Sequence, residues 1–242
     1  QLQKYCQPWR TQELHVKEMT QRYEVPPGDE MQIDFGFDEV LIAGVKTRVC
    51  VFVAVLSYSR RVFAKLYPVE NQAAWLNGIE SAFEYFNGVP VAVVSDNTRC
   101  LVDGRAEQGK TIFNRRYLQL SRYWQFVPVN CKPYRAKTKG KVERNFRTLK
   151  MRWLDVLDLS QIHSLEQFNE SLRAYIRQHN TTVHSGTGET PLNRYLKTQN
   201  HVKEPKSSEW LGECFQNSIS RTVHNDSCVS IDGVSYDCPQ QF

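Results

Sequence analysis

The residues with chemistry to offer are three carboxylates, Asp34, Asp96 and Glu143, and the block of positive charge that surrounds the last of them. That block, residues 132–153 (KPYRAKTKGKVERNFRTLKMRW), holds nine basic side chains and one acid. Its formal charge of +8 exceeds the +5 of all 242 residues, so the rest of the chain carries −3. Positive charge focused in this way marks a polyanion site. A lone carboxylate inside it weakens phosphate binding unless it holds a metal ion that acts on the phosphate. The plainer alternative for Glu143 is an i,i+4 pair with Arg147 on a solvated helix, worth about 0.2–0.5 kcal/mol.

The other two acids bear on that choice. Ile33, Phe35 and Phe37 alternate with Gln32, Asp34 and Gly36, which is the period of a strand. Asp34 then points away from the apolar face at mid-strand, where Asp is disfavoured. Its alternative is an ordinary solvent-facing acid. Asp96 follows the apolar run Pro90 to Ser95, and sites in α/β sheets form beyond the carboxyl ends of strands. Its alternative is a turn or cap residue. If the first and fourth strands are neighbours and the basic helix packs across them, the three acids converge. Clustered carboxylates cannot all stay ionised without cations. Oxygen ligands alone select hard divalent ions, Mg²⁺ or Mn²⁺. The basic surround makes a nucleic-acid phosphodiester the substrate.

The elements that would position these groups are legible along the chain. Val45 to Leu56 and Arg61 to Tyr67 are β-branched runs, so with Met31 to Phe37 they predict a three-strand antiparallel meander. Asn71 to Phe86 predicts a helix burying Trp75, Ile79, Ala82, Phe83 and Phe86, ended by Asn87-Gly88. Residues 98–110 are polar and read as a mobile loop. Thr111 to Trp124 reads as helix, with Phe113, Tyr117, Leu120 and Trp124 on one face, and Phe126 to Val129 as a short strand. In the basic block, Val142, Phe146, Leu149 and Trp153 form one apolar stripe of a helix. Ser164 to Gln167 is a capping box before another amphipathic helix, and Thr190-Pro191 starts a short one. Residues 198–208 read as a linker. Val229 to Cys238 predicts a hairpin turning at Asp232-Gly233.

Composition is that of a globular protein, and no run of about 18 apolar residues suits a membrane span. The chain starts mid-pattern without Met or signal peptide, and reads as a piece of a longer protein. Seven widely spaced cysteines without a C-x-x-C pair argue against a disulfide scaffold or zinc ribbon and for a reducing, intracellular setting. His179, His184, Cys214 and Cys228 have a spacing that fits no zinc module.

Ile33-Asp34-Phe35, Val94-Ser95-Asp96-Asn97 and Lys139-Gly140-Lys141-Val142-Glu143-Arg144 resemble the DDE motifs of the retroviral integrase superfamily. The P-G-x-x-M-Q-x-D opening at Pro27 to Asp34 and the Pro133 to Arg144 block are most similar to the IstA-type transposases of bacterial insertion sequences. His184 to Pro191 resembles the segment that follows the core in such enzymes. The resemblance covers about residues 24–197. It implies an RNase H-like mixed five-stranded sheet flanked by helices, followed by a small all-β barrel.

The domain reading is then a linker or entering helix at 1–28, a catalytic core at 29–157, a helical extension at 158–200 and a truncated barrel at 201–242. The implied activity is cleavage at transposon ends and transfer of the 3′-OH into target DNA. Asp34, Asp96 and Glu143 would hold two Mg²⁺ or Mn²⁺ ions. Lys137, Lys139, Lys141, Arg144, Arg147 and Lys150 would contact DNA phosphates, with Arg99 and then Arg115 and Arg116 as weaker candidates. Implied partners are double-stranded DNA, further copies of the chain and an AAA+ ATPase helper, in the bacterial cytoplasm at the nucleoid. The rivals are an RNase H-like nuclease that only hydrolyses, and a non-enzymatic DNA-binding module. Between Asp96 and Glu143 lie 46 residues, more than the roughly 35 the resemblance suggests, and the 98–110 segment can absorb the excess.

Overall fold

A computed structural model describes residues 24–106, 109–131, 148–149, 152–158, 162–204, 222–223, 227–231 and 234–237. The chain divides into two compact units, Gln1–Lys206 and Ser207–Phe242.

The first unit is built on a five-stranded sheet. Strands β1 (Glu30–Ile42), β2 (Val45–Leu56) and β3 (Val62–Tyr67) form the expected antiparallel meander. A long crossover carrying helix α1 (Gln72–Phe86) returns the chain to β4 (Ala92–Ser95), parallel to β1. After β5 (Val102–Arg105), β6 (Thr111–Phe113) and α2 (Arg115–Trp124), β7 (Val127–Asn130) adds parallel to β4. The order across the sheet is β3-β2-β1-β4-β7.

Both faces are covered, by different elements. On one, Phe35 meets Phe52 and Trp75 edge-on with ring centroids 5.4 and 4.8 Å away. There α1 lies so close that a Cβ on Gly78 would stand 2.7 Å from the Phe52 ring, so only glycine allows the approach. Phe83 of α1 then meets Trp124 and Phe126, each at 5.5 Å, which places α2 on the same side. On the opposite face, Val53, Val55, Val62, Ala64 and Leu66 are buried with Leu149, Trp153 and Ile162 and with helix α3 (Leu165–Thr181). Trp153 stacks on Phe168 at 5.1 Å, and burying side chains of this size stabilises by about 1.5–3 kcal/mol each.

α3 also closes the edge of the sheet. The Asn180 side chain accepts from Val62 N at 2.9 Å and donates to Val62 O at 2.8 Å. Asn169 does the same for Leu66, at 2.8 and 3.1 Å. Two side-chain amides therefore stand in for a neighbouring strand on β3, whose outward main-chain groups would otherwise be an unpaired edge. Ser164 caps α3, and Gln167 returns a bond to His163 N rather than to the cap residue. Helix α4 (Pro191–Leu196) follows, capped by Thr190. Tyr195 donates to Phe86 O and receives the Arg61 guanidinium over its ring at 4.4 Å, fixing α4 to the end of α1.

Three expectations need correction. Thr111–Phe113 is strand, and the helix starts only at Arg115, because Asn114 accepts from Arg116 N and caps it there. The segment read as a mobile loop contains β5, which pairs with β6 in a hairpin. The segment read as a linker is docked as far as Lys203, which pairs with Val89 through 2.8 and 3.0 Å main-chain bonds.

The second unit contains the expected hairpin, β8 (Cys228–Ile231) against β9 (Val234–Asp237), with Ile231 opposite Val234.

Candidate active site

Asp34 sits in the middle of β1 on the face that carries Val53 of β2, its cross-strand partner. Contrary to a solvent-facing reading, it is only 8% exposed. Leu149, Trp153 and α3 pack on the part of this face that Val53, Val55 and β3 form. A buried carboxylate needs compensation, and Phe35 N donates to its Oδ1 at 3.0 Å. The next residue on the same face is Gly36, which adds no side chain over it.

β1 and β4 run parallel, and their ladder ends with Gln32 opposite Val94. Asp34 lies two residues beyond Gln32 within β1, and Asp96 two residues beyond Val94, one past the end of β4. Val94 shares a face of the sheet with Gln32 and Asp34, and Asp96 follows as the first residue after the strand, half-buried. Neighbouring strands lie about 4.8 Å apart. Two carboxylates at that separation can share one ion at roughly 2.0–2.6 Å per metal–oxygen bond. An all-carboxylate donor set of this kind fits a hard divalent cation.

Glu143 lies outside the described residues, as do Lys137, Lys139, Lys141, Arg144, Arg147 and Lys150. Leu149 and Trp153, at the end of the same block, lie within them. Trp153 N donates to Leu149 O at 3.0 Å, a helical bond, and both side chains are 6% exposed against Val53 and Val55. The end of the basic block therefore packs on the face that bears Asp34. Among the described residues, no three His, Cys, Asp or Glu side chains converge on one ion. Arg99 is exposed on the turn after β4, and Arg115 and Arg116 open α2, Arg115 exposed and Arg116 half-buried. His184 lies in the loop between α3 and α4, where its Nδ1 accepts from Gly186 N at 3.1 Å. Burial holds the His179 imidazole below its usual range, helped by His184 and Arg152 nearby.

One titrating carboxylate escapes a reading of periodicity. Glu80 of α1 is 4% exposed and accepts from Trp124 Nε1 at 3.0 Å. Burial pushes it up to about 7, the Trp124 bond opposes this and Glu84 adds to it. It stands on the α1 side of the sheet, away from Asp34. A glutamate one position from the buried Ile79 is the only trace of it in the sequence.

The fold and the sequence have counterparts among known proteins. A family model described as "Integrase core domain" matches residues 25–136, from the residue after Glu24 through β7 and five residues beyond Cys131. Residues 25–136 thus belong to the integrase core domain family. The sequence is similar to transposases of bacterial insertion sequences. It is 36% identical over 199 residues to the "Putative transposase for insertion sequence element IS5376" of Geobacillus stearothermophilus, covering 81% of this chain and 48% of that one. It is 30% identical over 240 residues to the "Transposase for insertion sequence element IS21" of Pseudomonas aeruginosa, covering 99% and 60%. The chain thus spans about half to three-fifths of these relatives. Among solved structures, the HTLV-2 integrase catalytic core domain in complex with magnesium superposes with a TM-score of 0.51 at 16% identity, over 71% of this chain and 98% of that one. That likeness establishes the RNase H-like fold of the sheet and its helices. Among the described residues, no helix is long and apolar enough to cross a membrane.

Proposed function

We propose that this chain carries the catalytic core of a DNA transposase, which cuts at transposon ends and joins the freed 3′-OH to target DNA. The observation that carries the reading is the parallel pairing of β1, which bears Asp34, with β4, which ends one residue before Asp96, and the packing of the end of the basic segment on the Asp34 face of the sheet. Asp34, Asp96 and Glu143 are the residues that would hold two Mg²⁺ or Mn²⁺ ions. When bound, such ions lower the pKa of an attacking water or 3′-OH and stabilise the leaving oxygen in an in-line displacement.

The protein's own part is binding and placement. The carboxylates give a fixed, negatively charged seat, with Asp34 immobilised by its strand and by Phe35 N. Lys137, Lys139, Lys141, Arg144, Arg147 and Lys150 hold phosphates, setting register on the duplex rather than choosing sequence. Arg99, on the turn after Asp96, adds a contact at the end of β4. No side-chain nucleophile is required, since water and the 3′-OH attack directly. Double-stranded DNA is the substrate, and joining two ends calls for more than one copy of the chain. An AAA+ helper and a place at the bacterial nucleoid enter through the resemblance to insertion-sequence transposases. We read the second unit, Ser207–Phe242, as part of a small β-barrel module, of which β8 and β9 are a hairpin.

The deciding experiment offers a pre-cut transposon end and a target duplex in Mg²⁺, and looks for the joined product. Joining supports the reading. Cleavage without joining under any metal would make the protein a hydrolytic nuclease, and metal-independent binding with no product would make it a DNA-binding module.

A further inference from the structure

Asp96 lies one residue beyond β4, past the last pairing of that strand with β1. Its position depends on what anchors the residues around it. On one side Cys131 N donates to Ser95 O at 2.9 Å, prolonging the β4–β7 ladder by one bond. On the other side Asn130 Nδ2 donates to Asn97 Oδ1 at 2.7 Å. The same Nδ2 reaches Thr111 Oγ1 at 3.4 Å, at the start of β6. Asn130 is the last residue of β7 and pairs in register with Ser95. One amide thus ties the end of β7 to both the residue after Asp96 and the β5–β6 hairpin. Its Oδ1 is buried and has no hydrogen-bond partner among the described residues, a cost the fold accepts at this place.

We propose that Asn130 is a positioning residue for Asp96, acting through Asn97. The inference rests on the reading of Asp96 as a metal-holding carboxylate. Residues that orient a metal's carboxylate ligands change metal affinity or activity by about 10–100-fold when removed. Asn97 is exposed, so Asn97→Ala breaks the bond without touching the core, and Asn130→Ala breaks it from the other end.

The test is the joining reaction of the whole chain across a titration of Mn²⁺, with DNA affinity measured separately without divalent metal. Each single variant is expected to raise the half-saturating Mn²⁺ concentration about tenfold, with DNA affinity unchanged. The double variant is expected to be no worse than Asn130→Ala alone, because both remove one bond. An unmoved metal dependence, or losses that multiply in the double variant, would overturn the proposal. Asp96→Asn serves as the reference. If it is inactive and the Asn variants show no metal effect, the tether alone is wrong; if it keeps full activity, the metal-holding reading falls and takes this inference with it.

Discussion

Asn180, on a helix, completes both outward main-chain hydrogen bonds of Val62, on the edge strand of the sheet, at 2.9 and 2.8 Å. The same amide donates to Tyr85 OH at 3.0 Å, joining α3, β3 and α1 at one point. Asn180→Leu would leave a buried N–H and C=O unsatisfied. The expected loss is about 2–3 kcal/mol, read as a lower urea midpoint at unchanged slope. A change below about 0.5 kcal/mol would show that water replaces the amide there.

The carboxylates give the sharpest functional expectation. Asp34→Asn, Asp96→Asn and Glu143→Gln should each abolish cutting and joining, with DNA affinity retained in a gel-shift assay. Full activity in any one of them would remove that residue from the mechanism.

Lys139→Ala should weaken binding to all DNA sequences alike. The slope of log K against log salt should fall by about 1, since one phosphate contact is lost. An unchanged slope would place Lys139 away from the backbone.

Glu80 makes stability depend on pH on the side of the sheet remote from Asp34. Its folded value of about 7 lies above the ordinary 4.5, so the folded protein takes up a proton that the unfolded chain releases. Its stabilising contribution is complete below about pH 4.5 and is lost as pH rises to about 7. Glu80→Gln keeps an acceptor for Trp124 and removes the ionisation. At pH 8 the variant should be more stable by about 2–3 kcal/mol, a gain that vanishes at pH 4. Parallel curves for the two proteins from pH 4 to 8 would show that Glu80 is solvated.

Much of this fold is legible in the residues alone. The meander follows from period-2 runs broken at Gly44 and Ser57-Tyr58-Ser59. α1 follows from its stripe and caps, and Asn87 adopts the left-handed conformation that ends it. Cys50, inside the β-branched run of β2, is 3% exposed. Local pattern misleads where tertiary contacts outweigh it. β6 is three residues whose hydrophobic spacing merges with the stripe of α2, and only the cap bond of Asn114 separates them. Phe37 continues the alternation of β1 yet is 48% exposed, with the Arg48 guanidinium over its ring at 4.6 Å. Asn169 and Asn180 look like polar residues on a helix surface, and only the position of β3 reveals what they bond. At the site, Asp34 and Asp96 could be suspected from strand context, whereas Asn130 ends an apolar run and gives no such hint.

The covering of the Asp34 face has a practical consequence for anyone dissecting the molecule. The stretch that matches the integrase core ends at residue 136, but Trp153, Phe168, Leu172 and Ile176, which roof that side of the sheet, and the two amides that seal β3 all come later. A fragment cut at 136 would bare a valine-rich surface and a sticky strand together. It would be expected to self-associate into β-rich aggregates, whereas a cut after Lys206 leaves both protected.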